Sequence, residues 1–190
     1  MEPGKVYHVY NRGNNRQDIF FEDDNYRFFL RQMNKYLSGR LSVLTYCLMP
    51  NHFHLMVRIK TIPGITEEEQ SRLVIKSFKD FLIAYAKAIN KRYMRTGALF
   101  QSGFKRKEVD NDFYFSWLIQ YIHFNPIKAN LCKDFADWKY SSYNAIAGHQ
   151  PTSVLKEEVL SWFGGAKEFA RIHKERIIDE AGLNKYLFDD

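Results

Sequence analysis

Apolar residues change period several times along the chain, and each change marks an element. Residues 6–11 are rich in β-branched and aromatic side chains and stop at Arg12-Gly13-Asn14-Asn15, which predicts a strand and a polar turn. Asp23-Asp24-Asn25 then supplies N-cap chemistry for a helix whose Tyr26, Phe29, Leu30, Met33 and Leu37 recur at helical spacing before Ser38-Gly39. Two further strand-like runs, 41–49 and 53–59, are split by Pro50-Asn51 and read as an antiparallel hairpin. Thr66-Glu67-Glu68-Glu69 is a capping-box start to an amphipathic helix over 73–93, with Ile75, Phe78, Leu82, Tyr85 and Ile89 inward. A last strand falls within 97–109.

This order, β-α-β-β-α-β, predicts an α+β, ferredoxin-like antiparallel sheet with two helices on one face and the other face open for a site. Asp110-Asn111-Asp112 caps one more helix over about 113–124, ended by Asn125-Pro126, because proline disfavours helical geometry in the residue before it. Gly148-His149-Gln150-Pro151 marks a junction, giving a domain over 1–148 and a helical C-terminal extension over 149–190 with helices near 154–163 and 166–181. The extension carries no chemical motif, so packing or partner contact is its expected role.

Composition excludes several classes. The chain has 190 residues, 45% hydrophobic and 26% charged, which is ordinary globular usage. Cys47 and Cys132 cannot form a disulfide framework, read as buried small side chains, and fit a reducing cytoplasm. The opening residues lack a long apolar stretch, and no apolar run approaches the ~20 residues that cross a bilayer, so no membrane partner is expected. A net charge of +6 favours a polyanion. Residues 86–107 carry Lys87, Lys91, Arg92, Arg95, Lys105, Arg106 and Lys107 without one acid, interleaved with Tyr93, Phe100 and Phe104. That is a phosphate track beside stacking platforms, or, more plainly, a solvated helix end and a basic edge strand.

Two constellations carry chemistry. In Met49-Pro50-Asn51-His52-Phe53-His54, strand alternation sends His52 and His54 to one face and Phe53, Leu55 and Val57 to the other. Two neutral imidazoles so placed chelate a divalent cation if a third donor arrives; otherwise they are exposed polar surface. In Tyr121-Ile122-His123-Phe124-Asn125-Pro126, helical spacing turns Tyr121 and Asn125 the same way and His123 nearly the opposite way. Such a tyrosine is either core packing or, beside a cation, a nucleophile for phosphodiesters. His8 and Tyr10 share one side of the first strand, and the sequence leaves that side undetermined.

Taken together with Tyr7-His8-Val9-Tyr10-Asn11-Arg12-Gly13, Gly97-Ala98-Leu99-Phe100-Gln101 and Trp138-Lys139-Tyr140-Ser141-Ser142-Tyr143, these motifs resemble the single-tyrosine HUH transposases, in the branch associated with repetitive extragenic palindromes, over about 6–143. The resemblance implies Mg²⁺ or Mn²⁺ held by His52 and His54 with Asn125 as third ligand. Tyr121 matches the nucleophile, which would attack single-stranded DNA beside a hairpin to give a 5′-phosphotyrosine link. Clustering alone nominates Arg12, Arg16, Lys87, Lys91, Arg92, Arg95, Lys105 and Arg106 for the DNA backbone. Monomer and homodimer both stand open. So do two rivals, a domesticated, inactive module that binds DNA or RNA hairpins and a phosphodiesterase that activates water.

Overall fold

The computed structural model describes residues 1–175. Four strands, β1 (Val6–Arg12), β2 (Leu41–Met49), β3 (His52–Ile59) and β4 (Lys105–Val109), form one antiparallel sheet in the order β2-β3-β1-β4. Helices α1 (Asp23–Leu37) and α2 (Glu67–Arg92) supply the two crossovers, so the α+β, ferredoxin-like arrangement holds. Helix α1 begins one residue after Glu22, its N-cap, and Asn25 Oδ1 accepts from Phe21 N and Glu22 N, so of the trio Asp23-Asp24-Asn25 it is Asn25 that closes the start. Thr66 caps α2 as the sequence predicts, accepting from Glu69 N at 3.2 Å.

The sheet separates two cores. Phe53, Leu55 and Val57 face α1 and α2 and pack with Phe29, Phe78, Phe81 and Tyr85. The second face differs from the sequence expectation: it is not open. Helices α3 (Asp112–Lys128), α4 (Tyr143–Ala147), α5 (Lys156–Phe163) and α6 (Ala166–Glu175) cover it around Leu44, Met56, Leu118, Ile122 and Phe169. The reason lies in α3, which is apolar on nearly every side and must therefore bury more than one of them. It lies on the sheet and takes the later helices on its back. Part of the predicted 149–190 extension thus shares this core, while the end of the helix predicted to reach 181 lies outside the described residues.

Helix α3 also runs past Pro126, where the sequence predicts a stop. A proline in the last turn removes only its own N–H from the ladder, and the bonds from Ala129 N to Asn125 O and Leu131 N to Pro126 O continue beyond it. The edge of β2 is closed by the stretch after α3. Leu48 N donates to Tyr140 O at 3.0 Å, Ser142 N to Tyr46 O at 2.9 Å and Trp138 Nε1 to Leu48 O at 3.0 Å. Tyr140 stacks on Tyr26 with ring centres 3.6 Å apart. The Trp138–Tyr143 motif is therefore accounted for by packing.

Burial pushes the Cys47 thiol well above its ordinary range; Cys132 is only partly buried, unlike the sequence expectation. Among the described residues no helix is long and apolar enough to cross a membrane.

Candidate active site

Strand period puts His54 on the α3 face, beside Met56, while its neighbours Phe53 and Leu55 fill the opposite core. Register settles the side of β1 that the sequence leaves undetermined. Tyr10 pairs with His54, His8 with Met56 and Arg12 with His52, so His8 and Tyr10 join the imidazole face. His8 is fully buried and its Nε2 lies 2.9 Å from His54 Nδ1. Its ring centre lies 4.9 Å from that of Tyr10 and 5.1 Å from that of His54, the two imidazoles meeting edge to edge through this contact.

His52 stands at the mouth of β3, its ring centre 5.1 Å from that of His54 and nearly perpendicular to it. Its Nδ1 donates to Asn51 Oδ1 at 2.6 Å. An imidazole that donates from Nδ1 carries its lone pair on Nε2. On His54, Nε2 is buried and has no hydrogen-bond partner. Burial, then the neighbouring His8, His52 and Arg12, holds His54 well below the ordinary imidazole pKa; burial, then Lys107, takes His8 down to about 3. Both rings are neutral at physiological pH, as metal ligands must be.

Tyr121 reaches this cluster from α3. Its ring meets the His54 ring edge-on, with centres 5.7 Å apart, and stacks on Trp117 at 5.0 Å. Trp117 in turn stacks on Tyr114 at 6.1 Å, and Lys107 Nζ lies 5.2 Å above the Tyr114 ring. The tyrosine is 1% exposed. Asn125 is buried one turn on, with Nδ2 donating back to Tyr121 O at 2.8 Å, so its amide is engaged with its own helix.

A cavity of about 180 Å³ opens on the imidazoles, walled by His52, His54, Arg12, Arg16, Gln101 and Lys105; Tyr121 is not among its walls. Its rim is tightly tied. Gly13 N donates to Asn51 O at 2.7 Å, Asn51 Nδ2 to Arg16 O at 3.2 Å and Gln101 N to Arg12 O at 2.9 Å. A Cβ on Gly13 would stand 1.9 Å from Gln17 O, so only glycine permits this loop to fold back over the hairpin.

The eight nominated basic residues separate into groups. Arg12, Arg16 and Lys105 line the cavity. Lys87 and Lys91 are exposed on α2, Arg92 pairs with Glu22 at 3.3 Å, and Arg95 donates to Gln17 at 3.0 Å. Arg106 pairs with Val9, a residue of the α1/α2 core, so alternation turns it away from the imidazoles. Lys107, paired with His8, lies on the imidazole face instead.

Among the described residues no group of three or more His, Cys, Asp or Glu side chains is arranged as a metal site. The two-imidazole set nonetheless fits a divalent cation: a neutral ring with a buried, unpartnered Nε2, a second ring with its lone pair on Nε2, and a cavity against both. Further ligands would have to be amide, water or phosphate oxygens.

His8, Tyr10, Trp117 and Lys107 belong to this neighbourhood and are not among the sequence candidates. Their signal was the shared parity of His8 and Tyr10 on β1 and the helical spacing of Trp117 with Tyr121.

The site can be set beside known proteins. A REP-associated tyrosine transposase bound to a REP hairpin shares the fold, with a TM-score of 0.56 at 17% identity over 76% of this chain and 79% of that one. A candidate transposase from Deinococcus radiodurans R1 aligns with a TM-score of 0.36 at 18% identity, over 62% of this chain and 87% of that one. A bacterial tRNA(His) guanylyltransferase-like protein in complex with GTP aligns with a TM-score of 0.43 at 14% identity, over 70% and 72% of the two chains. Among curated proteins no match is found. The model of the IS200-like transposases matches residues 4–125, a span that includes both the imidazole strand and Tyr121, and the chain belongs to that family.

Proposed function

We propose that this protein is a metal-dependent endonuclease and strand transferase for single-stranded DNA, with Tyr121 as nucleophile. The observation that carries the reading is the meeting of Tyr121 and His54 within one chain, at 5.7 Å between ring centres, where His54 keeps a buried Nε2 without a partner. A nucleophile and its imidazoles in the same chain need no second copy, so a homodimer is not required by the chemistry.

Mg²⁺ or Mn²⁺ on His52 and His54 would polarise a phosphodiester and offset its negative charge. Asn125 is the proposed third ligand, once its amide turns from Tyr121 O. Arg12, Arg16 and Lys105 hold the DNA backbone in the cavity. Tyr121 Oη attacks phosphorus, the bond to the 3′ oxygen breaks, and the phenolic proton leaves to solvent. The products are a 5′-phosphotyrosine and a free 3′-hydroxyl. Attack by another 3′-hydroxyl reverses the step and rejoins strands, so bond energy is conserved and no nucleotide cofactor is needed. Because Tyr121 is buried and off the cavity wall, the seam between α3 and the sheet opens to admit the phosphate. The structural neighbour bound to a REP hairpin supports a hairpin beside the cut site as the recognised feature. Lys87, Lys91, Arg92, Arg95 and Arg106 are proposed to meet more distant phosphates, in the cytoplasm where the DNA resides.

The burial of Tyr121 also favours a second reading, an inactive hairpin-binding module. Incubating the protein with hairpin-bearing single-stranded oligonucleotides from the flanks of its own gene, with Mn²⁺ or Mg²⁺, separates the two. A protein mass increased by a DNA fragment on Tyr121 supports the transferase, and binding without any adduct overturns it.

A further inference from the structure

His8 enters the site from β1, and the spacing of His52 and His54 does not call for it. It lies diagonally across from His54, since Tyr10 is the direct partner of His54 and His8 that of Met56. Packing fixes its ring: it is 0% exposed, with the ring centres of Tyr10 and His54 4.9 and 5.1 Å away.

A neutral imidazole has one N–H and one lone pair. The 2.9 Å contact between His8 Nε2 and His54 Nδ1 holds one proton, so two arrangements exist. If His8 donates, His54 carries its own proton on Nε2; if His54 donates, His8 carries its own on Nδ1, and because both of those atoms are buried, burial alone does not choose between the two. The cavity does choose: it opens on His54 and not on His8, and with Nδ1 taken up by His8 a ligating His54 must keep its lone pair on Nε2. If His54 donates from Nδ1, its lone pair sits on Nε2, facing the second imidazole and the cavity. His52 shows the same pattern with a different partner, because Asn51 Oδ1 accepts from its Nδ1. Each ring of the pair thus has Nδ1 satisfied from behind and Nε2 turned to the front.

We infer that His8 is a positioning residue, which accepts the Nδ1 proton of His54, fixes that ring as the Nδ1–H tautomer and presents its Nε2 to the cation. Ligating imidazoles generally need such an acceptor behind them. The inference rests on the proposed reading of His52 and His54 as metal ligands, and its test is chosen so that the two can fail separately.

The experiment compares the full chain with His8→Phe, which keeps a stacking ring but has no acceptor, and His8→Gln, whose Oε1 accepts. Ring ¹⁵N shifts of His54 in metal-free protein report the tautomer, and titration with Mn²⁺ alone reports affinity. The wild type is expected to carry the His54 proton on Nδ1. His8→Gln retains that tautomer and Mn²⁺ affinity to within about threefold, whereas His8→Phe shifts the proton to Nε2 and weakens Mn²⁺ roughly 10–100-fold. A wild-type His54 protonated on Nε2 overturns the inference, as does His8→Phe with an unchanged tautomer and unchanged Mn²⁺ binding. If His8→Phe does not fold, the wild-type and His8→Gln tautomers decide it alone. If wild type and His54→Ala bind Mn²⁺ equally, the ligand reading fails, while the tautomer comparison still judges His8.

Discussion

Two buried histidine pairs stand on the α3 side of the sheet, and they are finished differently. In the pair behind α3, His173 Nδ1 donates to Phe169 O at 2.8 Å, so its Nε2 accepts from His123 Nδ1 at 3.0 Å. His123 Nε2 in turn lies 2.8 Å from the hydroxyls of Thr45 and Ser142, which are 2.8 Å from each other, so one hydroxyl donates to the ring and the other joins the pair through it. Every ring nitrogen is used, and the chain of bonds ties α6, α3, α4 and β2 together. In the pair at the sheet, His8 and His54 make a contact of equal length, yet His54 Nε2 is left without a partner. Burial and mutual proximity are common to both pairs; the inventory of donors and acceptors separates them. A satisfied pair fastens elements, whereas leaving a buried polar atom bare costs about 1–3 kcal/mol, which a bound group recovers.

Tyr121→Phe tests the sheet-side pair most severely. Covalent DNA adducts, measured by mass, should fall by at least about a thousandfold while hairpin affinity persists; continued cutting would mean that water, not the phenol, attacks. His54→Ala should lose both Mn²⁺ binding and cleavage, and His123→Ala neither, provided it folds. Equal Mn²⁺ loss in both variants would dissolve the distinction between the pairs.

Acid should reach the satisfied pair through stability. Burial lowers His173 from 6.5 to about 4, and burial followed by the neighbouring His173 holds His123 well below its ordinary value. Between pH 6.5 and about 4 the unfolded chain takes protons that the native chain refuses. Stability is therefore full above that window and lost as pH falls through it, with His173 contributing on the order of 3 kcal/mol. Chemical denaturation at stepped pH measures the slope; a flat response would contradict the neutral assignment. His173→Leu strands the His123 Nδ1 proton and should cost about 1–3 kcal/mol without changing Mn²⁺ affinity. The smallest effect belongs to the cavity rim: Lys105→Ala should reduce the salt dependence of DNA binding by a log–log slope of about one, and no change would remove it from the phosphate path.

The sequence made visible whatever depends on period within one element. Alternation placed His52 and His54 together and opposite Phe53, and helical spacing turned Tyr121 from His123. Features that depend on pairing between elements were hidden. His8 could not be assigned a side until the register of β1 on β3 fixed it. Thr45 reaches His123 because the ladder between β2 and β3 shifts between Val43 and Thr45, which lets Leu41 and Leu48 share one core although their positions differ in parity. The covered second face was half legible: residues 113–124 are too apolar for a helix with one buried side, but their partners lie in the weakly patterned tail. Asn125, read from spacing as facing with Tyr121, has its amide turned onto its own helix, a rotamer that spacing cannot reveal.

The strip from Trp138 to Ser142 bears on where this protein can be cut. The family match stops at residue 125, yet the outer rim of β2 is hydrogen-bonded by residues that come later. A chain shortened to the matched span would bare Tyr46 and Leu48 to any passing strand and strip α3 of its rear wall. Such a fragment should self-associate rather than fold, so the smallest autonomous unit extends well beyond the stretch by which its kinship is detected.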